Sequence, residues 1–142
     1  MMHALVSVNY VTVIVVTVVG FLFGWLWHSP VLFGKAWMAE MKITEDKMKE
    51  MAQKSMAPFF IKSLIYTLIS TYGLAVLLGA HGSHGWLAGL KLGAFVGLVL
   101  IGARLLNAAV WEQRSCKLSV INLGHEACLF ALQGAILAAW VR

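Results

Sequence analysis

The feature that most constrains this chain is a set of four apolar stretches, each long enough to cross a membrane as a helix. They cover residues 4–27, 59–79, 85–111 and 118–141. About 20 apolar residues span the hydrocarbon core, and backbone N–H and C=O groups in lipid must pair internally, as they do in a helix. Only 12% of the residues are charged, about half the share in soluble domains. We therefore expect an all-α integral membrane bundle of four transmembrane helices, forming one domain over residues 1–142.

The connection between the first two spans, residues 28–58, is the largest polar segment. Thr44 is placed to cap a short helix, and the pattern after it predicts an amphipathic interfacial helix at about residues 45–57. Three methionines form the apolar stripe of this helix: Met48, Met51 and Met56. Such a stripe usually faces lipid or the bundle, and the alternatives are a cytoplasmic partner or copper.

Basic residues predict how the bundle is oriented. Six lysines lie in or beside residues 28–58, and Arg114 and Lys117 lie in the third connection, whereas the opposite face has only Arg142 and, near its edge, Lys91. The positive-inside rule places the first and third connections in the cytoplasm and both termini outside, in what we expect to be a bacterial inner membrane. The net charge of +5 thus reflects orientation, and we expect no nucleic-acid partner.

Charged and amide side chains interrupt the third and fourth spans. Arg104 and Asn107 share one helix face, as do Asn122, His125 and Glu126, and reflection about the connecting loop sets the two faces at matching depth. A charge at membrane depth is costly unless it is paired or hydrated. The cluster is therefore either a buried ion pair that locks two helices, or a hydrated site with Glu126 as proton or cation binder. A third alternative is that Arg104 binds lipid headgroups.

Glycines recur at helical spacing in two spans. Gly20 and Gly24 form a G-x-x-x-G face, and the third span carries a longer series of Gly85, Gly89, Gly93 and Gly97. Small residues let helices approach closely in lipid. The series predicts either a tight contact within the chain or a subunit interface. Because one protomer of four helices encloses little space, we expect a homo-oligomer, and the glycine face is the candidate interface.

Two strings resemble a known family. Residues 24–30 (GWLWHSP) run into residues 32–37 (LFGKAW), with Asn9-Tyr10 upstream, and residues 121–124 and 134–140 have a matching ending. This resembles the small membrane proteins of domain of unknown function 1761. The resemblance implies four membrane helices and no established activity. The chain departs from the pattern at His28, in place of Tyr, and at His125-Glu126, in place of Tyr-His.

Three functional classes follow. The first is a small transporter or channel for a proton, a cation or a small solute, working through Arg104, His125 and Glu126. The second is an assembly protein in which these charges lock helices. The third is a membrane enzyme on a lipophilic substrate, least favoured because the chain has no H-E-x-x-H, C-x-x-C or G-x-S-x-G motif.

We favour transport. We expect no cofactor and no metal, because the turn residues His81 and His84, with His3 on the same face, are a weak metal-site pattern.

Overall fold

The computed structural model describes residues 7–140, which form a bundle of helices. The helices are α1 (Tyr10–Trp27), α2 (Gly34–Glu40), α3 (Glu45–Ala52), α4 (Ala57–His81), α5 (Trp86–Trp111) and α6 (Cys116–Trp140). Within the described residues α1, α4, α5 and α6 are long and apolar enough to span a membrane, which confirms the predicted all-α membrane bundle. Ala4 and Val141, the predicted ends of the first and last spans, lie outside the described residues, as does His3.

The first membrane helix begins later than the apolar pattern predicts. Asn9 has an extended backbone, and its Oδ1 accepts a hydrogen bond of 3.1 Å from the Thr12 N–H. This satisfies one of the unpaired donors at a helix start. Hydropathy runs through this cap without interruption, so the apolar pattern alone could not locate it.

The first connection contains two short helices rather than one. The predicted amphipathic helix forms as α3 and is capped by Thr44, whose Oγ1 accepts from the Lys47 N–H at 3.3 Å. It ends at Ala52, earlier than predicted, while Pro58 lies in the first turn of α4, where its missing N–H costs no helical hydrogen bond. Helix α2 was not predicted.

Helix α2 is tied to the third connection. Glu40 accepts a short hydrogen bond from the Ser115 hydroxyl, and its other carboxylate oxygen lies 3.8 Å from Lys117 Nζ. The two basic connections therefore lie together at one end of the bundle, which we call the connection end.

Helices α5 and α6 pack backbone against backbone. A Cβ placed on Gly89 would overlap the Gly134 carbonyl, one on Gly93 would overlap the Phe130 carbonyl, and one on Gly97 would lie 2.5 Å from the Glu126 carbonyl oxygen. The glycine series is therefore used inside the protomer and is not a free surface for a second subunit. Gly85 differs: its φ of 86° requires glycine, and its N–H donates to the Ala138 carbonyl at 3.1 Å.

The glycines of α1 accommodate side chains of α6. A Cβ on Gly20 would overlap the Gln133 amide, and a Cβ on Gly24 would lie 3.2 Å from His125 Nε2. Here the G-x-x-x-G face makes room for two polar side chains rather than for a helix backbone. It positions the polar residues considered below.

Helix α4 packs along only half of its length. Its buried residues are Thr71, Leu74, Val76 and Leu78, where it meets Val13 and Val16 of α1 in the core. Residues 57–66, toward the connection end, are all exposed. A gap is thus left between this half of α4 and the rest of the bundle.

Two glycine substitutions test the α5–α6 packing. Gly93→Ala should lower stability by about 1–3 kcal/mol, because the added methyl forces two backbones apart. Gly73→Ala is the control, since nothing lies within 4 Å of a Cβ there, and it should raise stability by up to about 1 kcal/mol through helix propensity. Thermal unfolding in detergent compares them. Equal melting temperatures for Gly93→Ala and the parent protein would contradict the close contact.

Candidate functional site

Two clefts flank the free half of α4. The α4–α6 cleft has a volume of about 540 Å³ and is bounded by α4, α5 and α6. The α1–α4 cleft has a volume of about 520 Å³ and is bounded by α1, the first connection, α4 and α6. Both are lined by Ser63, Thr67, His125 and Leu129. They are two sides of one gap, and His125 lies between them.

His125 and Glu126 meet at this junction. His125 Nδ1 lies 3.1 Å from Glu126 Oε1, and the two side chains keep 14% and 24% of their surface exposed. His125 Nε2 is buried and has no hydrogen-bond partner within residues 7–140. The pair is largely buried and places an acid and a base in contact at the edge of a cavity, an arrangement suited to binding or relaying a proton.

His28 joins this pair, although the sequence placed it apart from the cluster. Its ring centroid lies 5.1 Å from that of His125, and its Nδ1 lies 2.9 Å from the Gly24 carbonyl oxygen. Trp27, next in the chain, donates from Nε1 to the Ile121 carbonyl at 3.2 Å, which holds the end of α1 against α6. The signal in the sequence was the position of His28 directly after the last turn of α1.

Burial lowers the pKa of His28 below its ordinary value of 6.5. The hydrogen bond to the Gly24 carbonyl opposes this shift, nearby His125 adds to it, and the Glu126 carboxylate again opposes it. The net effect favours the neutral form of the His28 imidazole.

The predicted pairing of Arg104 with Glu126 is wrong for this structure. Arg104 and Asn107 are exposed, and neither makes an ion pair or hydrogen bond with any described residue. Asn122 is half-buried on α6. Arg104 and Glu126 also lie at different depths in the bundle. Gly97 lies opposite Glu126, and Arg104 follows Gly97 by seven residues, about 10 Å along a helix. The structure therefore brings His125 and Glu126 together and leaves the other cluster residues apart.

A π-helical segment in α5 explains why Arg104 faces away from α6. In an unbroken α-helix Arg104 would share the face of Gly97, seven residues before it. Residues Val96–Ile101 instead form a π-helix, which places an extra residue in the turn. Gly102 consequently faces α6, where a Cβ would lie 2.5 Å from Leu123 Cδ1, and Arg104 is rotated away by about 100°. The amino-acid composition of this segment does not indicate a π-helix.

A polar stripe on α4 was missed by the sequence analysis. It forms the wall that faces His125 and Glu126, and it consists of Lys62, Ser63, Tyr66, Thr67 and Ser70. Their signal was present as two i, i+4, i+8 series, Lys62-Tyr66-Ser70 and Ser63-Thr67-Thr71. The mean hydropathy of α4 stays in the range of membrane-spanning helices, so averaging along the helix hid this polar stripe.

Away from the connection end the gap is closed. Gln133 Nε2 donates to Thr71 Oγ1 at 2.8 Å, and both side chains are fully buried. Val16 and Leu74 are buried around them. Beyond this seal lies a small pocket of about 80 Å³, lined by Asn9, Thr12 and apolar side chains among others.

The remaining predicted residues lie at the edges. Met51 and Met56 line the α1–α4 cleft, whereas Met48 is exposed. His81 Nδ1 bonds to Ser83 Oγ at 2.9 Å. Cys116 and Cys128 are free and exposed. In the described part of the chain no three His, Cys, Asp or Glu residues are placed to hold a metal ion.

Four helices that are long and apolar enough to span a membrane define a small multi-pass membrane protein. The chain belongs to the family described as "Protein of unknown function (DUF1761)", whose model matches residues 11–138, so the resemblance found in the sequence is confirmed. No curated protein and no solved structure matches the chain.

The lowered pKa of His28 predicts how stability depends on pH. Above pH 6.5 the residue is neutral in the folded and unfolded states, and stability is complete. As pH falls below 6.5 the unfolded state binds the proton first, so stability declines until the pH reaches the folded pKa. Melting temperatures in detergent from pH 8 to pH 5 measure this. His28→Tyr should reduce the fall in melting temperature toward acid pH, whereas the control His84→Tyr should leave this fall unchanged. An equal fall in all three proteins would show that His28 is not its cause.

Proposed function

We propose that this protein transports a proton, a cation or a small polar solute, with His125 and Glu126 as the binding pair. The observation that carries the proposal is a cleft with a polar wall on α4 that reaches an acid–base pair inside the membrane-spanning helices. Ionisable residues at that depth typically mark substrate or ion pathways. His28, which lies beside His125, joins His125 and Glu126 as a third member of the site.

The seal supports alternating access. It consists of the Gln133–Thr71 hydrogen bond and a few apolar side chains, and it separates the gap from the small pocket beyond it. Two polar atoms, Gln133 Oε1 in the seal and Thr12 Oγ1 in the lining of the small pocket beyond it, are buried without a hydrogen-bond partner among the described residues. Each such atom costs about 1–3 kcal/mol, which lowers the free energy needed to open the seal and admit water.

Orientation follows from the basic connections. The clefts lie in the half of the bundle toward the connection end, which carries most of the lysines, so we propose that the gap faces the cytoplasm and both termini lie outside. A homo-oligomer remains part of the proposal, although the glycine face is no longer a candidate for its interface. A cytoplasmic partner could contact Met48 but not the methionines inside the cleft.

The helix-lock alternative is weakened by the same structure. It required an ion pair between Arg104 and Glu126, and Arg104 is turned away. Glu126 instead borders a space large enough for a ligand, within the range of about 300–1,000 Å³ found for small-molecule sites.

Access to the cleft can be tested by cysteine labelling. In a Cys116→Ser/Cys128→Ser background, Thr67→Cys should react with a membrane-impermeant thiol reagent applied from the connection side, because Thr67 lines both clefts. The matched control is Ile65→Cys, which is exposed on α4 outside both linings and should stay unreactive in lipid. If Thr67→Cys reacts from neither side in a folded, inserted protein, the cleft is dry and transport is refuted.

Weakening the seal should change which side has access. Gln133→Ala removes the bond to Thr71 and leaves a cavity, so Thr67→Cys in that background should also react from the opposite side. The control Asn107→Ala alters an exposed amide on α5 and should leave labelling one-sided. Unchanged labelling in Gln133→Ala would show that the barrier lies elsewhere.

A further inference from the structure

Two opposite charges face the α4–α6 cleft without neutralising each other. Lys62 lines it from α4 and Glu126 from α6. Lys62 makes no ion pair or hydrogen bond with any residue between 7 and 140, and the only side-chain partner of Glu126 there is His125. No N–O distance of 4 Å or less joins Lys62 to Glu126.

Unpaired charges inside membrane-spanning helices need a partner. Lys62 is five residues into α4, about 8 Å from its start, and Glu126 is ten residues into α6, about 15 Å from its start. Glu126 in particular is too deep to reach the interface through its short side chain. Glu126, with His125 as its only side-chain partner among the described residues, is therefore the costlier charge, whereas Lys62 lies nearer the end of its helix and has the longer side chain.

We propose that the α4–α6 cleft binds a zwitterion, with the cationic group at Glu126 and the anionic group at Lys62. The proposal rests on the transport function and names the substrate class of that site. The cleft volume of about 540 Å³ leaves room for a small molecule between the two charges. The hydroxyls of Ser63, Tyr66 and Ser70 on the same wall can bond to the anionic group.

A ligand of a single charge fits this cleft less well. A simple cation would satisfy Glu126 and leave Lys62 uncompensated, and a simple anion would do the reverse. Arg104 cannot replace the ligand cation in this structure because it is rotated off the α6 face. A zwitterion satisfies both protein charges and adds no net charge to the site.

Two sources share this chemistry: a free zwitterionic solute and the headgroup of a zwitterionic phospholipid. The wall of the cleft opposite α4 includes Ile101, Leu129 and Phe130, which can contact either the carbon skeleton of a solute or an acyl chain. The experiment therefore needs one arm for each source.

Binding to the purified full-length protein is measured with matched probes. The solute arm compares 4-aminobutanoate with butylamine and butanoate, which keep only one of its charges. The lipid arm uses nanodiscs of equal phosphatidylethanolamine and phosphatidylglycerol, with native mass spectrometry to count the retained lipids. We expect at least one arm to favour the zwitterion by about ten-fold or more, because each charged contact contributes substantially.

Variants then locate the site. Lys62→Gln and Glu126→Gln should each abolish the zwitterion preference, Lys62→Arg should keep it, and the control Lys91→Gln, on the exposed surface of α5, should not alter it. Retention by Lys62→Arg shows that position 62 tolerates substitution without loss of folding.

The other outcomes overturn the proposal in distinguishable ways. Equal binding of butylamine, insensitive to Lys62→Gln, would make this a cation site and leave transport standing. A zwitterion preference insensitive to both cleft variants would place the site elsewhere, and no preference in either arm would reject a zwitterion. Transport itself is judged separately by Thr67→Cys labelling, so a bound zwitterion in a cleft that opens to neither side would reject transport alone.

Discussion

Backbone contact between α5 and α6 is the constraint on which the rest of the arrangement depends. Glycines on α5 remove the side chains that would separate the two helices, and Gly134 does the same on α6. In lipid, where burial of apolar surface adds little, such close van der Waals contact is a main source of helix association. The α5–α6 hairpin is therefore closely packed along its length, and Gly97 lies opposite the backbone of Glu126.

This contact also shapes the site. Because α6 is held against α5 on one face, its polar residues His125 and Gln133 are directed toward α1, where Gly24 and Gly20 accommodate them. The π-helical segment then turns the remainder of α5, so that glycine rather than arginine meets α6. A regular helix would have placed a charge in the contact. The structure instead leaves Glu126 available to a ligand or a proton.

Much of this architecture could be predicted from residue patterns. Apolar length was sufficient for the four spans, and the Thr44 cap predicted α3. The glycine spacing predicted a close helix contact but not which partner it would meet. The π-helical segment has no sequence signature, so a helix-period argument set Arg104 on the wrong face. The polar stripe of α4 follows i, i+4 spacing in the sequence, but the high mean hydropathy of the helix hid it.

Helix α4 is where packing and the proposed function connect. The half of α4 farther from the connection end is held by Leu74 in the core and by the Thr71–Gln133 hydrogen bond. Residues 57–66 are all exposed, although Phe60 contacts Phe21 of α1 edge to face. A helix anchored at one end can tilt about that anchor without breaking the core. Such a tilt would narrow the gap at Ser63 and Thr67 and bring their wall toward His125. The single hydrogen bond at Thr71 would then be both the pivot of the helix and the seal of the pathway, which explains why a buried polar pair stands where an apolar contact would give a tighter barrier.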